Sequence, residues 1–397
     1  MTYVVVGGGL AGAKAVETLR KSGFAGQVTL IGAETVRPYE RPPLSKGLLL
    51  GNDEPDSVFV HSTEWYADHD VDLRLGVTVT ALDRTTKSLR LDNGDDVDYD
   101  RLLLATGSSP RRLDVPGGER ALLLRTLADS HRIDEAITKD THLVVVGAGW
   151  IGLEVAAAAR SRGARVTVVG TSALPLQHIL GDEIARVFAD LHRANGTELR
   201  MNTHVTEVTA DGVRLADGTS VPADVVVAGI GVTPNVSLAA GAGLDVDNGV
   251  LVSSRLATSD PDIFAAGDIA NIDHPLLGRR LRVEHWDTAI RSGPVAARAM
   301  LGEDVVYDRL PFFFTDQYDL GMEYTGSAPA DAEVVIRGDL AAREFIAFWL
   351  VDGKVAAGMN VNIWDVSDKI DALIRSGATV DRTRLAATDV DLSELAA

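Results

Sequence analysis

One local pattern occurs twice in this chain and limits its fold more than any other feature. Tyr3 to Val6 runs into Gly7-Gly8-Gly9-Leu10-Ala11-Gly12, and Leu143 to Val146 runs into Gly147-Ala148-Gly149-Trp150-Ile151-Gly152. Both turns read G-x-G-x-x-G, and each is followed by an alanine-rich helical stretch. A second β-branched strand then follows, Gln27 to Ile31 in the first copy and Arg165 to Val169 in the second. Each copy therefore opens a βαβ unit. In such a turn the first glycine permits the tight bend, the second lets a pyrophosphate approach the backbone, and the third packs helix on strand. The helix N-terminus then faces the phosphate charge. A single match is weak, but two in the same context point to two dinucleotide sites.

The duplication extends further along the chain. Leu102 to Gly107 is an apolar strand ending in Ala-Thr-Gly, and Val225 to Gly231 has the same form. Ile263-Phe264-Ala265-Ala266-Gly267-Asp268 matches nothing in the second unit and is assigned to the first domain. The expected division is a first domain of residues 1–112 and 243–310, a second of 113–242 inserted in it, and a third of 311–397. The third carries short strands at Val334 to Arg337, Phe345 to Leu350 and Val355 to Met359, then an amphipathic helix near Ser367 to Arg375. The fold class is α/β: two Rossmann-like dinucleotide-binding domains of the glutathione-reductase kind, one inserted in the other, plus a small C-terminal α+β domain. The acidic tail from Thr383 to Ala397 is left unassigned.

Composition removes several kinds of chemistry. With no cysteine among 397 residues, disulfides, thiolate nucleophiles and Cys-ligated zinc or iron-sulfur clusters are excluded. The formal charge of -19 makes nucleic acid and anionic membrane surfaces unfavourable partners. The opening segment lacks the basic region and cleavage site of a secretory signal, and no apolar run reaches about 18 residues, so a cytoplasmic protein is expected. The nine histidines show no metal-ligand spacing, and no metal site is expected. His285 beside Trp286 reads as a packing or hydrogen-bonding residue.

Candidate site residues follow, each with a plainer alternative. Glu34, past the second strand of the first unit, is placed to accept from ribose hydroxyls, or is a solvated loop carboxylate. The same place in the second unit is Gly170, followed by Thr171 and Ser172, with neither an acid for a ribose 2'-hydroxyl nor an arginine for a 2'-phosphate. Lys46, after the rigid Arg41-Pro42-Pro43 segment, is a candidate partner for Glu154, two residues beyond Gly152. Buried ion pairs of this kind also occur with no catalytic role. Asp268 is a ligand for a sugar-alcohol hydroxyl, or an Asx turn or helix cap. Asp287 to Met300 reads as a helix despite Gly293-Pro294. Arg279-Arg280-Leu281-Arg282, the densest basic cluster, reads as a solvated loop or as a docking patch for an acidic carrier.

Taken in order, these segments resemble the putidaredoxin reductase and rhodocoxin reductase family, FAD-dependent ferredoxin reductases of bacterial oxygenase and cytochrome P450 systems. The most specific pieces are PYERPPLSKGLL at Pro38 to Leu49, LLLATGSSPR at Leu102 to Arg111, VVVGAGWIGLEVA at Val144 to Ala156 and DIFAAGDIA at Asp262 to Ala270. The resemblance covers nearly the whole chain, including FFFTDQYDLGMEYTG at the start of the third domain. It implies that FAD is held through Gly7, Gly9, Ala11, Gly12, Glu34, Arg41, Lys46, Val79, Arg125, Asp268 and Trp286, with the Thr106-Gly107 and Gly267 turns beside it. It implies that NAD(P)H is held through Gly147, Gly149, Ile151, Gly152 and Glu154, with NADH slightly favoured. It also implies an electrostatic role for Lys46 and Glu154 at the flavin, and makes Trp150 a candidate aromatic lid, or else a ring packed against the helix start. The chain departs from the family pattern at Ala33, Gly170 and Phe314.

The implied activity is electron transfer from NAD(P)H through FAD to an iron-sulfur ferredoxin. Relatives that relay electrons through a protein dithiol are excluded by the missing cysteines. Two other readings stay open: an NAD(P)H oxidase or quinone reductase, and a redox-sensing protein that keeps a stable flavin-nicotinamide complex.

Overall fold

The computed structural model describes residues 1–395. The chain forms two compact units, each assembled from separated stretches. The first comprises Met1–Glu40, Asp56–Ser109 and Thr233–Pro311; the second comprises Arg41–Pro55, Pro110–Val232 and Phe312–Ala397.

In the first unit, five parallel strands lie in the order Ile263–Ala265, Arg101–Leu104, Thr2–Val6, Gln27–Gly32, Val71–Leu75. The glycine-turn strand is central, with later strands added on both sides of it, so the chain changes direction across the sheet at this strand's C-terminal end. That is where open α/β sheets bind ligands. Ile263–Ala265 closes the sheet by pairing with Leu102 to Leu104. The near-continuous apolar character of these strands follows from burial on both faces: Val4, Val5, Leu30, Leu102 and Leu103 are fully buried in one core. The helix Trp286–Met300 packs on the glycine-turn helix Leu10–Lys21 so closely that a Cβ on Gly293 would lie 2.4 Å from the carbonyl oxygen of Ala11. Glycine beside Pro294 is thus a packing requirement rather than a helix stop.

The second unit repeats this plan. Its parallel sheet runs Glu198–Arg200, Arg165–Val169, His142–Val146, Val225–Ala228, Leu122–Leu123. Here the closing strand comes from before the glycine turn, whereas in the first unit it comes from far after it. Alternate residues feed two cores: Leu143, Val145 and Val168 enter one, and Val144, Val146 and Val169 the other. The first of these cores also takes in Met322, Phe345, Trp349 and Met359 of the C-terminal segment. That segment is an antiparallel sheet ordered Phe312–Gln317, Leu320–Gly326, Lys354–Val361, Glu344–Val351, Glu333–Asp339, with the helix Ser367–Ser376 after it. The tail left unassigned in the sequence holds a short helix, Arg382–Ala386, and a 3-10 turn, Leu392–Leu395, pinned by buried Leu385, Leu392 and Leu395. Its last two residues, 396 and 397, lie outside the described ones.

No helix of the described residues is long and apolar enough to cross a membrane.

Candidate functional site: two glycine cradles and a buried lysine–glutamate pair

The two glycine turns share the backbone conformation of their first and middle glycines. Gly7 has φ +130° and Gly147 φ +112°, in the region that side chains rarely enter. In addition, a Cβ on Gly7 would lie 2.0 Å from the carbonyl oxygen of Ala105, and one on Gly147 would lie 2.3 Å from that of Gly229. The strand-end loops Ala105-Thr106-Gly107 and Gly229-Ile230-Gly231 thus press on the first glycine of each turn. Asn235 secures the former loop, accepting at its carbonyl from Thr106 Oγ1 (3.0 Å) and donating from Nδ2 to the Thr106 carbonyl (2.8 Å).

The middle glycines behave differently. Gly9 and Gly149 cap their helices with φ,ψ of -94°, -173° and -90°, -175°, and a Cβ on either meets no atom within 4 Å. Neither helix has a side-chain cap or an acid in its first turn. Each helix start therefore presents backbone N–H groups and its positive dipole end to open space, which suits a pyrophosphate. The residues present fit two dinucleotides, one per unit. Ile151, in the first turn of the second helix, is an apolar side chain left 45% exposed beside this opening.

In the first unit, Gly267 and Asp268 form a 3-10 turn next to the glycine-turn helix: Gly267 accepts no side chain cheaply, since its φ is +75° and a Cβ would lie 3.1 Å from the Ala11 Cβ. The Gly267 N–H donates to Ser292 Oγ (2.9 Å). Asp268 is buried, and neighbouring His285 is pushed down to about 4 by burial, against the opposing pull of the Asp268 carboxylate. Trp286 Nε1 donates to Glu40 (3.1 Å). Glu34 follows the strand Gln27–Gly32 and accepts from the Tyr39 hydroxyl (2.5 Å). Val79 begins a strand paired with Ser88–Leu91. The Arg279 to Arg282 cluster is built on a strand, Arg279–Leu281, rather than a loop, with Arg279 and Arg280 exposed as a solvated reading expects. Arg280 donates to the carbonyls of Val252 and Asn271, and Arg282 donates to that of Asp268 and pairs with Glu284. Two of its guanidiniums thus satisfy backbone carbonyls that a loop reading leaves without partners.

The second unit brings together residues distant in sequence. Lys46 Nζ lies 2.8 Å from Glu154 Oε1, with Glu154 only 3% exposed. Glu154 also accepts from the Ser45 hydroxyl and, at 2.5 Å, from Thr315 Oγ1. Three donors therefore offset the cost of burying this carboxylate. The network continues: Gln317 Nε2 donates to Thr315 Oγ1 (3.2 Å), and Gln317 Oε1 lies 2.9 Å from His192 Nε2. Burial holds the His192 imidazole below its ordinary pKa, so it is neutral and donates from Nε2. Lys46 Nζ also stands 5.3 Å from the Phe314 ring centroid, within cation-π range. Trp150 packs against Phe313 (5.0 Å, tilted) and edge-on to Phe188 (5.6 Å). Arg41 donates to the carbonyl of Arg125, which places these two predicted residues side by side.

Sequence reasoning named Lys46 and Glu154 but missed Ser45, Thr315, Gln317 and His192. Two signals were available: Thr315 and Gln317 alternate on the buried side of one strand, and His192 lies four residues after Phe188 on a helix's buried stripe.

Comparison with known proteins decides the family. Residues 1–293 match the pyridine nucleotide-disulphide oxidoreductase model, and residues 312–396 match the reductase C-terminal model. The chain belongs to the pyridine nucleotide-disulphide oxidoreductase family. It is 40% identical to the ferredoxin–NAD(+) reductase component of an anthranilate 1,2-dioxygenase system from Burkholderia cepacia, over 98% of each chain. It is 38% identical to putidaredoxin reductase of Pseudomonas putida, over 90% of this chain and 88% of that one. Among solved structures, putidaredoxin reductase in its covalent complex with putidaredoxin superposes with a TM-score of 0.95 at 36% identity, covering 99% of this chain and 97% of that one. The chain is accordingly an oxidoreductase with this family's mixed α/β fold. Because it has no cysteine, the dithiol in the family's description has no counterpart here.

Proposed function

We propose that this protein is a flavoprotein ferredoxin reductase, passing electrons from NAD(P)H through FAD to an iron-sulfur ferredoxin that serves an oxygenase or cytochrome P450. We place it in the cytoplasm, with NADH slightly favoured. The observation that carries this reading is the pair of open glycine cradles in a chain with no thiol, combined with whole-length similarity to ferredoxin reductase components. Two nucleotides are held, and electrons leave without a protein dithiol. Bound FAD supplies the conversion from a two-electron hydride donor to single-electron delivery.

The chain's own residues bind, orient and set charge. Gly7, Gly9, Ala11 and Gly12 receive the FAD pyrophosphate, with Glu34 at the adenosine ribose and Asp268 at the ribityl chain. Val79, the Thr106-Gly107 turn, Gly267 and Trp286 complete that cradle, and the family resemblance assigns Arg41 and Arg125 to FAD as well. Gly147, Gly149, Ile151 and Gly152 receive the nicotinamide nucleotide, and Trp150 serves it as an aromatic wall. Lys46 supplies a fixed positive charge, and Glu154, held by Ser45 and Thr315, orients it. Preorganised charge of this kind favours whichever redox state carries the negative charge.

Lys46→Ala tests the pair. Flavin reduction by NADH, followed anaerobically by stopped-flow absorbance at the flavin band, is expected to slow by about 10²-fold, the scale of one preorganised electrostatic contact, or FAD is lost on gel filtration. Wild-type reduction kinetics with full FAD content would remove Lys46 from the site.

A further inference from the structure

The adenosine end of the second glycine turn lacks the group that ordinarily rejects a phosphate. In dinucleotide folds an acid closing the second strand bonds the ribose 2'-hydroxyl, whereas a nearby arginine accommodates a 2'-phosphate. Here that place is Gly170. A Cβ on it would lie 2.8 Å from the Met201 Cε and 3.0 Å from the Ala148 Cβ, so a side chain enters only if Met201 moves. Thr171 and Ser172, which follow, carry no charge. Glu198 lies on the neighbouring strand, below its end, and its carboxylate is engaged by Thr167 (3.2 Å), by Arg165 (3.9 Å) and by Arg200 (2.7 Å). Neither the loop at 170–172 nor Glu198 therefore offers a free carboxylate at the strand end, and the Asp217 carboxylate stands within the field of Arg200.

The neighbouring strand ends in a cation. Arg200 is the register partner of Val169, and its carbonyl accepts from the Gly170 N–H (3.0 Å). Two further backbone bonds, Asn202 to Ser172 (2.9 Å) and Thr203 to Gly170 (3.1 Å), lock the loops after these two strands together and fix the Arg200 backbone beside Gly170. The guanidinium is half exposed and meets Glu198 through Nε, which leaves its outer N–H groups available. Thr203 adds a buried hydroxyl with no hydrogen-bond partner among the described residues.

We propose that the protein oxidises NADPH as well as NADH, with Arg200 meeting the adenosine 2'-phosphate. This rests on the reading of the Gly147 turn as the nicotinamide-nucleotide site. Glu198 competes with the phosphate for Arg200, which is why NADH keeps a slight advantage rather than losing to NADPH outright.

The test measures binding of two fragments, 5'-AMP and 2',5'-ADP, to the FAD-loaded full chain by titration calorimetry, alongside kcat/KM for NADH and NADPH. The expected result is 2',5'-ADP binding within about tenfold of 5'-AMP, with NADPH within about tenfold of NADH. Arg200→Ala is expected to lower the 2',5'-ADP to 5'-AMP affinity ratio by about tenfold, the loss of one charge-assisted hydrogen bond at a half-exposed group. Glu198→Gln, which removes the competing carboxylate, is expected to raise that ratio, and so provides a second arm if the alanine variant folds poorly. Tight 5'-AMP binding with 2',5'-ADP more than tenfold weaker, or ratios unmoved in both variants, would overturn the NADPH assignment and leave the nucleotide site in place. Absence of binding by both fragments, together with no flavin reduction by NADH, would remove the site and the assignment with it.

Discussion

Replacing Thr315 by valine isolates the support that Glu154 receives from the C-terminal sheet. Thr315 is fully buried, donates to Glu154 at 2.5 Å and accepts from Gln317 at 3.2 Å. Valine keeps the shape and removes both bonds. Losing a hydrogen bond to a buried charge costs about 1.5 to 3 kcal/mol, and stranding the Gln317 amide donor adds about 1 to 3 kcal/mol. The sum, about 2.5 to 6 kcal/mol, reaches the top of the range for single substitutions. A chain built of two units is a poor case for two-state analysis, so the loss is best read locally. Amide hydrogen exchange of peptides covering Trp150–Ser161 and Phe312–Gln317 is expected to accelerate by about 10²-fold or more, at one decade per 1.4 kcal/mol. Thr315→Ser, which retains the donor, is expected to stay within about tenfold of the wild type. Exchange in the valine variant within about threefold of the wild type would show that Glu154 does not depend on this bond.

The glycine cradles predict separable defects. Gly7→Val drives a side chain into the Ala105 carbonyl and is expected to yield colourless protein lacking FAD, whereas Gly147→Val drives one into the Gly229 carbonyl and is expected to retain the yellow colour while losing NADH-driven reduction. Absorbance spectra and anaerobic NADH titration check both. Stability is also expected to fall with acidity. His285, ordinarily near 6.5, is pushed down to about 4, so below about pH 6.5 the unfolded chain binds a proton that the folded chain refuses. Stability from this group is full above about 6.5 and is lost as pH falls towards 4, at about 1.4 kcal/mol per pH unit, or about 2 kcal/mol by pH 5. His192, lowered by the same cause, acts in the same direction. Thermal melting between pH 7 and 5 should show a smaller drop in His285→Gln than in the wild type, and equal drops would refute the assignment.

Much of the architecture was legible because it depends on spacing. The G-x-G-x-x-G turns, the apolar strands before them and the Ala-Thr-Gly and Ala-Gly-Asp loops carry their structure in local patterns that the fold reproduces. The elements that escaped are those fixed by distant contacts. Leu122–Leu123 is a two-residue strand that exists because Val227 and Ala228 are there to pair with it. The tail helix Arg382–Ala386 is one and a half turns long, too short to be stable alone, and is held by Leu385 in the C-terminal core. The same distinction holds at the site. Lys46 and Glu154 stood out as charges in apolar or glycine-rich surroundings, whereas Ser45, Thr315, Gln317 and His192 are ordinary polar residues whose meaning comes from meeting Glu154 across 109 and 161 positions of sequence, directly or through one another. Arg279 to Arg282 escaped in part: Arg279 and Arg280 are exposed as a basic run suggests, but the segment is a strand, and Arg280 and Arg282 bond backbone carbonyls that only the fold brings near.

The central claim is that electrons leave this flavoprotein one at a time to an iron-sulfur carrier. The most direct measurement is NADH-driven cytochrome c reduction by the purified FAD-loaded protein, with and without a [2Fe-2S] ferredoxin from an oxygenase system. The account predicts slow reduction without ferredoxin and a rate that rises with ferredoxin concentration to saturation. Fast turnover without ferredoxin, unchanged on adding it, would contradict the account and favour direct reduction of oxygen or small acceptors. A long-lived charge-transfer band with no turnover in either case would contradict it in favour of a redox-sensing flavin-nicotinamide complex.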